Sequence, residues 1–321
     1  MVQFGAQASF LILIIAISLA VGVADDSVVT AHISQAINAV WVSIAFWAGW
    51  RLMPEAPATH VLPPGSSLWT IGFKQTYHTA KSIWCHYKAG LRWFLLATVF
   101  AEAASNAFTV VAVVYLTEEV DLSGNGIAIF FLVVLVASLP GSYMGSQITK
   151  RTNPNISWRL SMFSLAVVTI VGALLVDSSR QAVAYVWGLA VGLLLGWFYS
   201  TENLFFSMCL PKGQEAELAG FFVYCTQILG WLPPLIFTLM VEAGADQTYG
   251  VMSVAAFFFV AIAILSLASP WEDILAEAAE VDSSVLDDAK LGEHPLEVED
   301  VKNSEDGAGI SETVEDKLSN S

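Results

Sequence analysis

The sequence is poor in charged residues, especially basic ones, and in cysteine. Only 13% of its 321 residues are charged, and 13 Lys and Arg stand against 29 Asp and Glu, for a formal net charge of −16. A soluble domain has about 25% charged residues. The surplus of negative charge argues against nucleic-acid binding. Cys85, Cys209 and Cys225 are scattered, which excludes a disulfide framework and a thiolate metal cluster.

Motifs of common enzyme classes are also missing. There is no Walker or Gly-x-Gly-x-x-Gly phosphate loop and no His-Glu-x-x-His pattern. His60, His78 and His86 lie near one another in the chain but show no ligand-like pairing. The sequence therefore predicts a protein that is not an enzyme and that has no cofactor and no metal.

Long apolar runs are what the sequence has in abundance. Hydrophobic residues make up 56% of it, and the mean hydropathy is +0.64. About twenty apolar residues in a helix cross the hydrocarbon core of a bilayer, and these runs alternate too little for a β-barrel. The fold class is therefore an all-α membrane protein with eight predicted transmembrane helices. The spans are Ala8–Ala24, Ser34–Met53, Leu91–Leu116, Gly126–Gln147, Leu160–Val176, Ala182–Phe206, Leu218–Val241 and Tyr249–Ala268.

The chain divides into four predicted segments. Residues 1–53 carry two transmembrane helices, 54–90 a cytosolic central loop, 91–268 a six-helix unit and 269–321 a disordered acidic cytosolic tail. A cleaved signal peptide competes with a retained first span, although Met1–Gln7 lacks the positive charge of such a leader. Within the loop, Ile71–Tyr87 is either a basic amphipathic helix on the membrane surface or a solvated loop helix.

Basic residues predict the orientation. With Pro54–Gly90 in the cytosol, 12 of the 13 Lys and Arg lie on the cytosolic side and Arg180 alone lies outside, in accord with the positive-inside rule. Both termini are then cytosolic. Ser269–Ser321 carries 16 acidic and 3 basic residues, a composition that favours disorder, with a short helix at Pro270–Val281 as a local exception.

Two local patterns predict packing details. Gly141-x-x-x-Gly145 is a small-xxx-small spacing, which lets helix backbones approach closely. Pro233-Pro234 removes two backbone donors, so the seventh span should be broken or kinked there.

Several stretches resemble a known family. They are Arg51–Pro64, Gly72–Gln75 (GFKQ), Phe94–Ala97 (FLLA), Pro211–Phe222 (PKGQEAELAGFF), Leu232–Phe237 (LPPLIF) and Tyr249–Ser253 (YGVMS). Together they are similar to the autophagy-related vacuolar amino-acid effluxer family of the major facilitator superfamily. The resemblance implies a partial major facilitator bundle that lacks the first four of twelve helices, with residues 1–53 as helices five and six. It also implies location in the vacuolar membrane.

Some positions depart from the family's pattern. Where the family usually has an Asp-Gly pair, the chain has Ala103-Ala104, and where the family often has Ser-Arg-Ser, it has Glu202-Asn203-Leu204. A Lys of the family falls at Gln227, and an Asp of the family falls at Thr149. Membrane charges have been lost or moved, so the resemblance implies the fold more directly than it implies the substrate.

Polar residues inside the spans are the candidate site, because exposure to lipid would be costly for them. The predicted substrate-binding residues are Glu102, Asn106, Asn203 and Gln227, and the predicted proton-coupling residues are Glu102 and Glu202. Glu202 lies about two turns before Pro211, where bonding to the loop or to water is an alternative. For all of them the structural alternative is a set of interhelical hydrogen bonds that hold the bundle together.

The predicted function is transmembrane transport, with amino-acid efflux from the vacuole implied by the resemblance. The expected partners are a small-molecule substrate and the lipid bilayer, with either a missing N-terminal half or self-association. The alternative is a truncated or transport-inactive membrane scaffold with an acidic tail that binds partners.

Overall fold

The protein is helical throughout the part of the chain that the structure describes. That structure, a computed structural model, describes residues 7, 9–14, 16–17, 27–52, 68–210 and 215–279, and these ranges contain no strand. The helices are α1 (Ser27–Leu52), α2 (Leu68–His86), α3 (Leu91–Glu118), α4 (Gly124–Arg151), α5 (Pro154–Leu175), α6 (Gln181–Cys209), α7 (Glu215–Gln227), α8 (Leu232–Glu242), α9 (Gln247–Leu265) and α10 (residues 271–279).

Six helical segments of the described chain are long and apolar enough to cross a membrane. They are α3, α4, α5, α6, the pair α7–α8 and α9, which confirms the predicted third to eighth spans. Helix α1 covers the predicted second span and has 26 residues, but it is not among the six. Most of the predicted first span lies outside the described residues. The predicted total of eight therefore stays a prediction.

The six spans pack in a definite order. Helix α4 packs most extensively on α6, and α6 also packs on α5. Helix α5 packs on α9, α9 packs on α3, and the pair α7–α8 lies against α3. Arg92, Arg151 and Arg159 mark one end of this bundle, and the Arg159 Nη2 donates to the Leu265 carbonyl 2.6 Å away. We call this the basic end. It gathers the α3 and α5 N-termini with the α4, α6 and α9 C-termini.

Glycines allow α4 and α6 to touch backbone to backbone. The interface contains Gly141, Gly145, Gly192 and Gly196. A Cβ atom on Gly196 would lie 2.1 Å from the Ser138 carbonyl oxygen, so this position has no room for any side chain. The close packing predicted from Gly141-x-x-x-Gly145 is confirmed, and its partner is a second series of glycines on α6.

Three hydroxyl groups join α4, α5 and α6 near the basic end. The Thr149 Oγ1 lies 2.8 Å from the Ser157 Oγ and 3.3 Å from the Thr201 Oγ1. The Trp197 Nε1 also donates to the Ser157 Oγ at 2.9 Å. Thr149 thus bonds as a neutral residue at a position where the family resemblance places an Asp.

The seventh predicted span is broken, as Pro233-Pro234 predicted. Helix α7 ends at Gln227 and α8 begins at Leu232, with proline in its first turn. The last carbonyls of a helix have no intrahelical donor, and here the Thr226 carbonyl of α7 accepts from the Asn106 Nδ2 of α3.

The first residues of the acidic tail form a helix that docks on the basic end. The Ile274 side chain of α10 is 2% exposed and lies against Gly90, which has no side chain to displace it. Both Glu277 carboxylate oxygens accept from the Ala89 N–H, at 2.9 and 3.0 Å, and one accepts from the Gly90 N–H at 3.3 Å. The short helix predicted at Pro270–Val281 is confirmed for residues 271–279, because the apolar face of this segment finds a partner. Residues 280–321 lie outside the described chain.

Glu277 places a carboxylate at the N-terminus of α3, where the preceding residue offers no capping side chain. Gly90, the residue before α3, offers no capping side chain, and a carboxylate at a helix N-terminus also interacts favourably with the helix dipole. Burial, with the Glu277 and Glu217 carboxylates nearby, raises the pKa of the Tyr87 hydroxyl beside this contact.

We expect Glu277→Ala to lower the free energy of unfolding by about 1–2 kcal/mol, because the N–H groups of Ala89 and Gly90 lose a charged acceptor. Denaturant titration of the purified protein in mixed micelles measures this. Glu272→Ala is the matched control, since Glu272 is exposed on the same helix. Equal losses in the two variants would show that the Glu277 cap contributes nothing.

Candidate functional site

Two glutamates from different helices meet inside the bundle. Glu102 of α3 is 4% exposed and Glu202 of α6 is 1% exposed, and they are the only buried acidic or basic side chains among the described residues. Their carboxyl groups lie close enough to interact directly with each other. With a helical rise of about 1.5 Å per residue, Glu102 lies roughly 16 Å along α3 from its first residue. The pair is therefore well inside the membrane-spanning part of the helix.

A hydrogen bond between two carboxyl groups needs a proton on one of them, since an ionised carboxylate only accepts. The described residues place no Lys, Arg or His beside the pair. The Glu202 Oε1 is buried with no donor of acceptable geometry among the described residues. A proton held between the two carboxyl groups would leave the pair with a single negative charge in apolar surroundings.

Asn106 connects the pair to the broken helix. It lies one turn after Glu102 on α3, and its Nδ2 donates to the Glu102 Oε2 at 3.4 Å and to the Thr226 carbonyl of α7 at 3.3 Å. Because the Nδ2 takes both of these acceptors, the Oδ1 is the amide atom left to accept from a ligand. Asn106 thus joins a carboxyl group on α3 to the C-terminal end of α7.

Tyr199 completes the cluster from α6, one turn before Glu202. Its side chain lies near Ser105 and close enough to Glu102 and Glu202 to interact electrostatically with both. Tyr199 was not predicted as a site residue, because only its i, i+3 spacing from Glu202 indicates it and a tyrosine in an apolar helix is usually a packing residue. We call Glu102, Ser105, Asn106, Tyr199 and Glu202 the carboxyl cluster.

A cavity of about 330 Å³ adjoins the carboxyl cluster. Ser105, Asn106 and Tyr199 form part of its polar wall, and they separate it from the two glutamates. Its remaining wall is largely apolar and includes Phe108, Phe131, Leu135 and Leu195. Ligand sites commonly combine apolar walls with a few polar groups, and this volume is at the small end of their range.

The structure separates Asn203 and Gln227 from the carboxyl cluster. Both are exposed on the described part of the bundle. The Asn203 Nδ2 donates to the Tyr199 carbonyl of its own helix at 2.8 Å, and the Gln227 Nε2 donates to the neighbouring Thr226 Oγ1 at 3.4 Å. Neither side-chain amide lies in the interior of the described bundle, and a water-filled path stays the predicted surrounding for both. Their substrate-binding role stays a prediction.

Glu202 is buried and lies against Glu102. Bonding of Glu202 to the loop before α7 or to water stays an alternative. The rotation of α6 that exposes Asn203 turns Glu202 inward. The cluster thus brings together three of the predicted residues: Glu102, Asn106 and Glu202.

No metal site accompanies these residues. No group of three or more His, Cys, Asp or Glu side chains with metal-binding geometry occurs in the part of the chain that the structure describes. The carboxyl cluster offers hydroxyl, amide and carboxyl oxygens, which suit a proton or a hydrogen-bonding ligand.

Comparison with known proteins gives one family. The model of the family described as "Vacuole effluxer Atg22 like" matches residues 1–272. Autophagy-related protein 22-2 of Neosartorya fischeri and of Aspergillus fumigatus are each 20% identical to the chain over 224 residues, which is 62% of the chain and 34% of each relative. Autophagy-related protein 22-1 of Aspergillus clavatus is 20% identical over 223 residues, 63% of the chain and 35% of the relative.

The chain spans about a third of the length of these curated relatives. No solved structure matches it.

Proposed function

The chain belongs to the Atg22-like vacuole effluxer family, and from that premise we propose that it transports amino acids out of the vacuole through the carboxyl cluster. Family membership confirms the resemblance seen in the sequence, and the six membrane-capable helices make it a multi-pass membrane protein. The vacuolar membrane as its location and the major facilitator bundle as its fold are parts of this proposal.

The carboxyl pair is the observation that carries the proposal. A buried carboxyl group is expensive in a membrane and usually marks a substrate or proton path. Here two of them, Glu102 and Glu202, are buried side by side next to a polar-walled cavity and a broken helix. Breaks of this kind often adjoin the substrate sites of transporters, where free backbone groups contact the ligand.

Each member of the cluster has a distinct role in this proposal. The Asn106 Oδ1 and the Ser105 and Tyr199 hydroxyls contact the substrate in the cavity. Glu102 and Glu202 hold the proton and set the negative potential behind that wall. Asn106 is also hydrogen-bonded to the Thr226 carbonyl near the end of α7, so a movement of the broken helix changes the site.

Vesicles that contain the purified full-length chain test the proposal with labelled amino acids. We expect flux in the wild type and a reduction of about tenfold or more in Glu102→Gln, which keeps the shape but loses the ionisable group. Glu119→Gln is the matched control, because Glu119 is exposed just after the same helix.

Unchanged flux in Glu102→Gln would remove the carboxyl pair from the mechanism. Absence of flux for every amino acid would overturn the transport proposal and favour the membrane scaffold with a partner-binding tail. Tagged full-length protein that stays out of the vacuolar membrane fraction would overturn the proposed location.

A further inference from the structure

We propose that α2 lies on the membrane surface and binds anionic phospholipids in the leaflet at the basic end. Aromatic side chains of the helix enter the headgroup region, and the lysines beside them contact the lipid phosphates. The inference goes beyond the proposed function, because it depends on the membrane-spanning bundle and not on what the protein transports. It follows from how α2 is held, from the depth at which it lies and from the charges that it carries.

One side of α2 is fixed to the bundle. The helix lies against α7 and α3, and its Ile83 side chain is 4% exposed. The Thr79 hydroxyl, one turn before Ile83, donates to the Glu217 carboxylate of α7. Because these two residues lie on the same face, their contacts set the rotation of α2 about its axis and turn the opposite face away from the bundle.

The side of α2 that faces away from the bundle is aromatic. Phe73, Tyr77 and Trp84 are 76%, 71% and 55% exposed. With about 3.6 residues per turn, the three side chains lie within about 40° of one another around the helix. We call these three residues the aromatic face. Exposed aromatic side chains along one face of a basic helix are typical of helices that lie in the membrane interface.

The first turn of α3 fixes the depth of the aromatic face. Only residues 87–90 separate α2 from α3, which is one of the six membrane-capable helices. The Trp84 ring centre lies 6.3 Å from that of Trp93, and the Arg92 Cζ lies 5.6 Å and 4.6 Å from these two ring centres. Tryptophan and arginine at the end of a span are residues of the membrane–water interface. The C-terminal half of α2 is therefore at the level of the lipid headgroups.

The charges of α2 favour an anionic lipid. Lys74 and Lys81 are both exposed, and they lie beside the aromatic face, at about 80–100° around the helix from Phe73. Residues 68–93 contain no Asp or Glu, although the whole chain has a net charge of −16. A negatively charged lipid surface attracts each basic side chain near it, and no acidic side chain of this segment opposes that attraction.

Cys85 provides a natural probe for this surface. It is exposed on α2, whereas Cys209 and Cys225 are buried, so a nitroxide reagent labels Cys85 selectively in the full-length chain. Power-saturation EPR spectroscopy then compares vesicles of phosphatidylcholine with vesicles that also contain phosphatidylserine, using a neutral, water-soluble nickel chelate as the relaxant. We expect phosphatidylserine to lower the accessibility of the label to the chelate by about twofold or more, and about 1 M potassium chloride to abolish this change.

Substitutions at exposed positions identify the side chains responsible. Lys74→Gln combined with Lys81→Gln should remove the effect of phosphatidylserine on the Cys85 label. Lys150→Gln combined with Arg151→Gln should retain it, because these residues are exposed at the end of α4 and remove the same number of positive charges without altering α2.

A second pair of substitutions tests the aromatic face. Phe73→Ser combined with Tyr77→Ser removes apolar surface from the lipid side of α2 and no contact with the bundle. We expect the nickel chelate to reach the Cys85 label more readily in both kinds of vesicle, because less apolar surface anchors the helix in the interface. Unchanged accessibility would overturn the insertion of the aromatic face.

The remaining outcomes decide the identity of the partner. Equal accessibility of the wild type in the two kinds of vesicle, or an effect of phosphatidylserine that survives the lysine substitutions, overturns the anionic-lipid site. Magnetic broadening between labels that disappears on dilution with unlabelled protein would assign the surface to a second copy of the chain and overturn the lipid assignment. None of these measurements uses transport, so this inference and the proposed function are tested independently.

Discussion

Gly196→Ala will separate α4 from α6 and lower the free energy of unfolding by about 2–4 kcal/mol. The added Cβ would lie 2.1 Å from the Ser138 carbonyl oxygen and 2.8 Å from the Ser142 nitrogen. Both atoms belong to the backbone of α4, so no side-chain rotation relieves the clash and one helix must shift. The loss is measurable by denaturant titration in mixed micelles and by chromatography, as a loss of the monodisperse species.

Gly220→Ala is the matched control for this substitution. Gly220 lies within α7, and a Cβ there would meet no atom within 4 Å. Since alanine favours a helix by about 1 kcal/mol over glycine, we expect this variant to be as stable as the wild type or slightly more stable. If Gly196→Ala behaved like Gly220→Ala, the close contact of α4 with α6 would not exist as described.

Phe94→Ala will lower the free energy of unfolding by about 3–5 kcal/mol, the usual cost of truncating a buried phenylalanine. Phe94 is 0% exposed, and its ring centre lies 5.0 Å from that of Trp158, 4.4 Å from that of Phe205 and 6.1 Å from that of Phe222. These rings belong to α3, α5, α6 and α7, so one substitution opens a void shared by four helices.

Phe163→Ala is the corresponding control. Phe163 lies on α5 and is 51% exposed. Its removal leaves no internal void, and we expect a loss below about 1 kcal/mol. Similar losses for Phe94→Ala and Phe163→Ala in the same denaturant titration would contradict the aromatic core at the basic end.

The helices of the six-span unit follow from the sequence because lipid imposes a single requirement on them. Every backbone donor and acceptor in the membrane must be bonded within the helix, so apolar length alone predicts Leu91–Glu118 and its five counterparts. The break near Pro233 follows from the missing donors of proline. Helix α1 has 26 residues and is long enough to cross a membrane. It contains several polar residues, so apolar length alone does not identify it as a span.

The site was predictable only in part, because it depends on how the helices are rotated. Mid-span position was enough to indicate Glu102 and Asn106. The meeting of Glu102 with Glu202 depends on the rotation of α6 relative to α3, and a one-residue difference places Asn203 on the surface and Glu202 in the core. Apolar residues surround α6 on all sides, so the pattern does not specify which face is buried.

The docking of α10 on the basic end could not be predicted from the composition of the tail. The tail from Ser269 onward is dominated by acidic residues, and average charge predicts disorder. Ile274 and Glu277 form contacts that depend on single positions, one filling the space beside Gly90 and the other bonding the N–H groups of Ala89 and Gly90. Such contacts between distant segments leave no periodic signal in the sequence.

The central claim is that Glu102 and Glu202 share one proton inside the bundle, and infrared difference spectroscopy of the full-length protein in lipid tests it most directly. At neutral pH we predict a C=O stretching band of one protonated carboxyl group per chain. This band should shift in Glu102→Gln and in Glu202→Gln, and it should vanish in the double variant. A wild-type spectrum without a protonated carboxyl band, or a band that persists unchanged in the double variant, would contradict the account.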